Sequence, residues 1–120
     1  MEISLDGPGA FAVRVVGVAQ YQPVLARAAA DEPDIEAALA PENDNPHDDQ
    51  AVAVLIGGER AGYLSRDDAR RYRAHLAAVG EPDLTVYCAA RITGGFATRD
   101  GGQAHFGLRL DLPRFAEDPA

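Results

Sequence analysis

Short stretches in which apolar and polar residues alternate dominate this chain, and they set the first expectation, a mainly β protein. Phe11, Val13, Val15 and Val16 to Val18 form a β-branched run that reads as a central strand; Gly17 interrupts it and marks an expected bulge or bend. In Ile35 to Ala40, Ile35, Ala37 and Leu39 alternate with Asp34, Glu36 and Ala38, and so short a segment reads as strand because a helix of that length does not stand alone. Ala51 to Ile56 and Glu59 to Tyr63 flank Gly57-Gly58, which supplies the positive backbone angles of a two-residue hairpin. Leu84 to Thr93 and Gln103 to Leu112 read as the last strands, with the turn Glu81-Pro82-Asp83 before them and a glycine-rich loop, Gly94 to Gly102, between them.

Helical spacing occurs twice. Val24 to Ala30 follows Pro23, whose missing donor costs nothing in a first turn. Arg66 to Val79 is the clearer helix: Ser65 is placed to cap it, Asp68 follows three residues later, Leu64 is placed to staple Ala69, and Gly80 ends it. Its apolar stripe is Ala69, Tyr72, Leu76 and Val79; Arg66, Arg70 and Arg73 fall on the opposite, solvent-facing side, where Asp67 is spaced to pair with Arg71. About six strands with two helices predict a small, modified OB-like β-barrel, with an antiparallel sheet covered by helices on one face as the competing arrangement. Met1 to Gly9 reads as a leader ending in a Gly-Pro-Gly turn, residues 1–113 as a single domain with its core over about 11–113, and residues 114–120 as a C-terminal tail.

Composition narrows the function. A chain of 120 residues with 47% apolar and 25% charged residues is ordinary for one globular domain. Cys88 is the sole cysteine, so no internal disulfide forms, and no apolar run is long enough to span a bilayer; a soluble, cytoplasmic protein is the expectation. The net charge of -8 opposes non-specific nucleic-acid binding, but the charge is uneven. Asp31 to Asp49 carries acids without a Lys or Arg, whereas Arg66, Arg70, Arg71 and Arg73 cluster, and all 11 Lys or Arg positions are Arg.

The loop Glu42 to Gln50 is the richest in chemistry. Asn45 precedes Pro46 and is pushed out of the helical region, while Asn and Asp side chains accept backbone donors two residues on, so the loop is able to hold a fixed shape and present Asn45, His47 and Asp48. Catalysis finds little support. No GxxxxGK[ST] loop is present, the spacing of Glu42, Asp44, Asp48 and Asp49 fits neither a calcium loop nor a two-metal motif, and Cys88 lies in an apolar strand. A non-enzymatic protein without cofactor or metal is expected.

Three segments, VVGV at Val15 to Val18, NPHDDQAVAV at Asn45 to Val54 and GERAGYLSRDDA at Gly58 to Ala69, resemble in order and spacing a HIRAN domain of the free-standing, bacterial type. The resemblance covers Val13 to Pro113 and implies a modified OB barrel that holds a single-stranded DNA 3' end by ring stacking, a carboxylate on the terminal hydroxyl and basic groups on phosphate. Carried onto this chain, it implies Tyr21 as a stacking ring, Asp48 as the hydroxyl acceptor with Asn45 and His47 beside it, Tyr63 lining the same region, Arg66 on a phosphate and Phe106 as a second ring. The two positions before Tyr21, an arginine and an aromatic in DNA-binding members, are Ala19 and Gln20. The alternative is a protein-interaction or regulatory module on the same barrel that has lost DNA binding. For each residue a plainer role stands beside the ligand role: Asn45 and Asp48 tie down their own turn, and Tyr21 and Tyr63 are half-buried rings with wet hydroxyls.

Overall fold

The computed structural model describes residues 2–5, 7–31, 34–80, 84–95, 99–102 and 105–112. Among these are the strands β1 (Glu2–Leu5), β2 (Val13–Val16), β3 (Asp34–Pro41), β4 (Val52–Ile56), β5 (Glu59–Leu64), β6 (Thr85–Thr93) and β7 (Gly107–Asp111), and the helices α1 (Gln22–Asp31) and α2 (Arg66–Ala78). Strand order is β1-β6-β3-β4-β5-β2-β7, and β7 also pairs with β6. Six antiparallel strands therefore close into a small OB-like barrel, with β1 as an extra strand.

β6 is the seam of the barrel. Its nine residues alternate strictly, with Val86, Cys88, Ala90 and Ile92 turned into the core. One edge pairs with β3; the other is shared, β1 running parallel along Thr85 to Cys88 and β7 antiparallel along Ala89 to Thr93. The Glu2–Leu5 segment is thus a strand and not a leader, because half of that edge is left for it to cover. After β1 the chain passes close to Asp111, whose carboxylate, 7% exposed, accepts the Gly9 N–H at 2.9 and 3.0 Å and the Phe11 N–H at 3.5 Å. A buried carboxylate that collects backbone donors is satisfied without a cation.

Gly17 does not bend a strand. β2 ends at Val16, and Gly17, at φ 74°, starts a 3-10 turn over Val18–Tyr21 that leads directly into α1. The bulge is in β5 instead: Val54 faces Gly62 and Leu55 faces Arg60, which leaves Ala61 unpaired, and Ala61 and Gly62 are both buried. Gly57 and Gly58, at φ 57° and 84°, make the hairpin as expected.

Ser65 caps α2, its Oγ accepting the Asp68 N–H at 3.2 Å, and Ala69, Tyr72 and Leu76 enter the core. Val79 lies past the last helical turn and is 57% exposed, so it does not extend the stripe. The expected Asp67–Arg71 pair does not form; Arg27 pairs with Glu59 and Arg60 with Glu42. β7 starts at Gly107, later than the expected Gln103, which lies outside the described residues together with Pro113 and the tail.

Gly62 is held where two strands approach closely. A Cβ there would stand 2.5 Å from Val15 Cγ1 and 2.7 Å from the Val16 carbonyl oxygen, and the oxygen is backbone with no room to move. Gly62→Ala should lower stability by about 2 kcal/mol, read as a lower urea midpoint at unchanged slope.

Candidate functional site

The connection between β3 and β4 is a polar bend, 42–51, that satisfies its own backbone. The Glu42 N–H donates to the Ala51 carbonyl at 2.9 Å, adding one rung to the β3–β4 ladder. Asn45 Oδ1 accepts the N–H groups of His47 at 2.8 Å and Asp48 at 3.2 Å, and Asp48 Oδ1 accepts the Gln50 N–H at 3.0 Å. These are the Asx contacts the sequence allows, so Asn45 and one oxygen of Asp48 do serve their own turn.

Arg73 pins this bend to α2. Its Nε donates to the Gln50 carbonyl at 2.8 Å, one terminal nitrogen to Asn43 Oδ1 at 2.7 Å and the other to the Ala51 carbonyl at 2.8 Å. The planar guanidinium reaches the three acceptors from three separate nitrogens, a spread that the single nitrogen of an ammonium does not match. Arg73 is therefore not part of a solvent-facing arginine face with Arg66 and Arg70. Its spacing on α2 could have suggested a tether, but helical periodicity says only which residues avoid the core.

A second fastening comes from Glu42, whose side chain is 13% exposed. Oε1 accepts Asn45 Nδ2 at 3.0 Å and the Tyr63 hydroxyl at 3.2 Å; Oε2 accepts Arg60 Nε at 2.8 Å and a terminal Arg60 nitrogen at 2.6 Å. The hydrogen bond to Glu42, followed by its charge, holds the Arg60 guanidinium above its ordinary value. The Tyr63 phenol is pushed up to about 12, first by burial, then by the Glu42 carboxylate and the neighbouring Tyr21.

Between the bend, the 3-10 turn, β5 and the start of α2 lies a recess of about 350 Å³. Tyr21, Asn45, His47, Asp48, Tyr63 and Arg66 all line it, on a floor that includes Val16, Leu64 and Ala69. Phe106 does not. Gln22 Nε2 donates to the Phe106 carbonyl at 2.9 Å, the Phe106 N–H donates to Gln22 Oε1 at 2.8 Å, and the ring packs over Gly95. Gln22 thus docks the segment before β7 onto α1 and keeps Phe106 away from the recess. On the far side of Tyr21 a larger hollow of about 700 Å³ is bounded by Val24, Pro41, Glu42, Glu59 and Arg60.

Among the described residues, the polar groups of the recess not already engaged are Asp48 Oδ2, the His47 imidazole, the Arg66 guanidinium and the Gln20 amide. A carboxylate oxygen, an imidazole, a guanidinium and an amide thus line one cavity together with two tyrosines. Cys88, in contrast, is 2% exposed and its thiol is pushed up to about 12 by burial, with Asp111 and Glu36 adding to the effect, so it is poorly suited to act as a nucleophile. No helix among the described residues is long and apolar enough to cross a membrane.

No family model matches the chain, and no curated protein matches it. Among solved structures it is similar to a structural-genomics target protein from Lactobacillus plantarum, at 22% identity and a TM-score of 0.45 over 82% of this chain and 90% of that one.

Two outcomes follow from the contacts. Arg73→Ala should cost about 2 kcal/mol in urea unfolding, and Arg73→Lys should recover less than half of that, because three acceptors need the guanidinium fork. Cys88 and Tyr63 ionise near 9.0 and 10.0 in an ordinary setting but near 12 in the fold, so the unfolded chain releases protons first as pH rises. The stability linked to both groups is complete below their ordinary values and is lost as pH climbs through about 12; urea midpoints measured from pH 8 upward should fall, and Tyr63→Phe should soften the fall.

Proposed function

We propose that this protein is a non-enzymatic, HIRAN-like module that binds a single-stranded DNA 3' end in the recess between Tyr21 and Asp48. The observation that carries this reading is the grouping of Asp48 Oδ2, His47 and Arg66, all unengaged, with two rings in one recess. Among the described residues Asp48 Oδ2 has no donor, and a free terminal hydroxyl supplies one. Arg66 and His47 sit on the same rim and offer donors to the adjacent phosphate, while Tyr21 and Tyr63 present ring surface to a base. Each base stacked on a tyrosine contributes about 1 to 3 kcal/mol without sequence preference. A volume of about 350 Å³ suits one nucleotide and not a duplex.

Two features favour the second reading, a protein-interaction module that no longer binds DNA. Ala19 and Gln20 are exposed on the turn before Tyr21 and bring no charge or ring to the recess, and the chain carries a net charge of -8. Arg66 is the sole guanidinium lining the recess among the described residues, so the affinity for phosphate expected from it is modest.

Fluorescence anisotropy at low salt separates the readings. A 5'-labelled hexathymidylate with a free 3' hydroxyl should bind about tenfold more tightly than its 3'-phosphorylated counterpart, and Asp48→Asn, which keeps the oxygen bound to Gln50 but turns the other into a donor, should erase the difference. Equal affinities for both ends, or no binding to either, would leave the interaction module as the better account.

A further inference from the structure

We infer that Glu42 is the positioning residue of the recess: one carboxylate sets the distance between its ring wall, Tyr63, and its polar wall, the bend led by Asn45, while Arg60 holds that carboxylate from behind. The inference rests on the reading of the recess as an end-binding site, but it concerns a residue that itself does not line the recess.

Tyr63 belongs to β5 and Asn45 to the bend after β3, and their side chains meet on one atom, Oε1 of Glu42, which accepts from both. Asn45 in turn orients His47 and Asp48 through Oδ1, so a displacement of Asn45 moves the two groups that face a ligand. Oε2 takes both contacts with Arg60, which leaves Oε1 free of competition from the guanidinium. The carboxylate has four donor contacts on its two oxygens and little contact with water, so its rotamer is fixed. Glu42 also lines the larger hollow beyond Tyr21, the ring that borders both cavities. A preorganised wall matters because ordering the loop on binding would otherwise subtract from affinity.

The variants to compare are Glu42→Ala, Glu42→Gln and Arg60→Ala, each first checked for native far-UV circular dichroism. The amide introduced by Glu42→Gln keeps an oxygen for Tyr63 and Asn45 but turns a donor toward Arg60, so that variant and Arg60→Ala, which both lose the hold from behind, should bind the 3'-hydroxyl hexathymidylate about threefold more weakly than the parent, whereas Glu42→Ala should lose about tenfold. A merely structural role would lower the urea midpoint of Glu42→Ala with the affinity unchanged, and that result would overturn the inference. A readout that needs no ligand is the ionisation of Tyr63, followed by NMR of tyrosine-labelled protein and assigned with Tyr63→Phe. In Glu42→Ala it should move down from about 12 toward 10, since the carboxylate is part of what raises it. If the parent shows no preference for a 3' hydroxyl, the proposed function fails on its own, and the Tyr63 and Asn45 side-chain NMR signals decide whether Glu42 sets the two walls: shifts of both in Glu42→Ala support it, and unmoved signals overturn it.

Discussion

A polar loop set between two core strands has to find partners for a dense group of backbone donors and acceptors, and the region around the recess is shaped by how that requirement is met. Residues 42–51 meet it with their own Asn45 and Asp48 and with Arg73 from α2, while the carboxylate of Glu42, just past β3, holds the Asn45 side chain. The contacts of Asn45 and Glu42 also fix the position of side chains at the recess. Rigidity in the loop and arrangement of the site are therefore one physical result, and a ligand would meet groups already in place.

Charge follows the same logic. The loop is strongly acidic, yet its acids are not equivalent. Glu42 is drawn inward and neutralised by Arg60, Asp48 commits one oxygen to its own turn, and Arg66 remains uncommitted at the start of α2. The net charge of the chain thus describes its long-range field and not the local balance at the recess, where one carboxylate oxygen, one imidazole and one guanidinium stand together.

Much of the fold was legible because its signals are local. Alternation located β3, β4, β5 and β6, a glycine pair located the hairpin, and Ser65 located the start of α2. What escaped depends on partners distant in sequence. β1 looks like any short leader until β6 offers half an edge, and Gly17 resembles a strand-bending glycine until β2 is seen to stop before it. At the recess, the six residues grouped by motif converge because the bend and β5 lie side by side, whereas Phe106 sits after a glycine-rich loop and is held by Gln22, 84 positions away. Arg73, read as part of a solvent-facing side, and Glu42, weighed only as one of a group of acids, hid their roles for the same reason, since a charged residue's partner is not written in its own neighbourhood.

The bulge at Ala61 ties the barrel to the recess. Arg60 and Tyr63 are three positions apart, and in a regular strand an odd spacing sends two side chains to opposite faces. The extra residue shifts the phase, so Ala61 and Gly62 both turn inward while Arg60 and Tyr63 share the outer face. Only then does one carboxylate at the end of β3 reach both, Tyr63 with one oxygen and Arg60 with the other. The irregularity that bends β5 into the barrel thus also places the ring wall of the recess, and removing the unpaired residue would cost the Glu42 contacts even if every residue in the recess were kept.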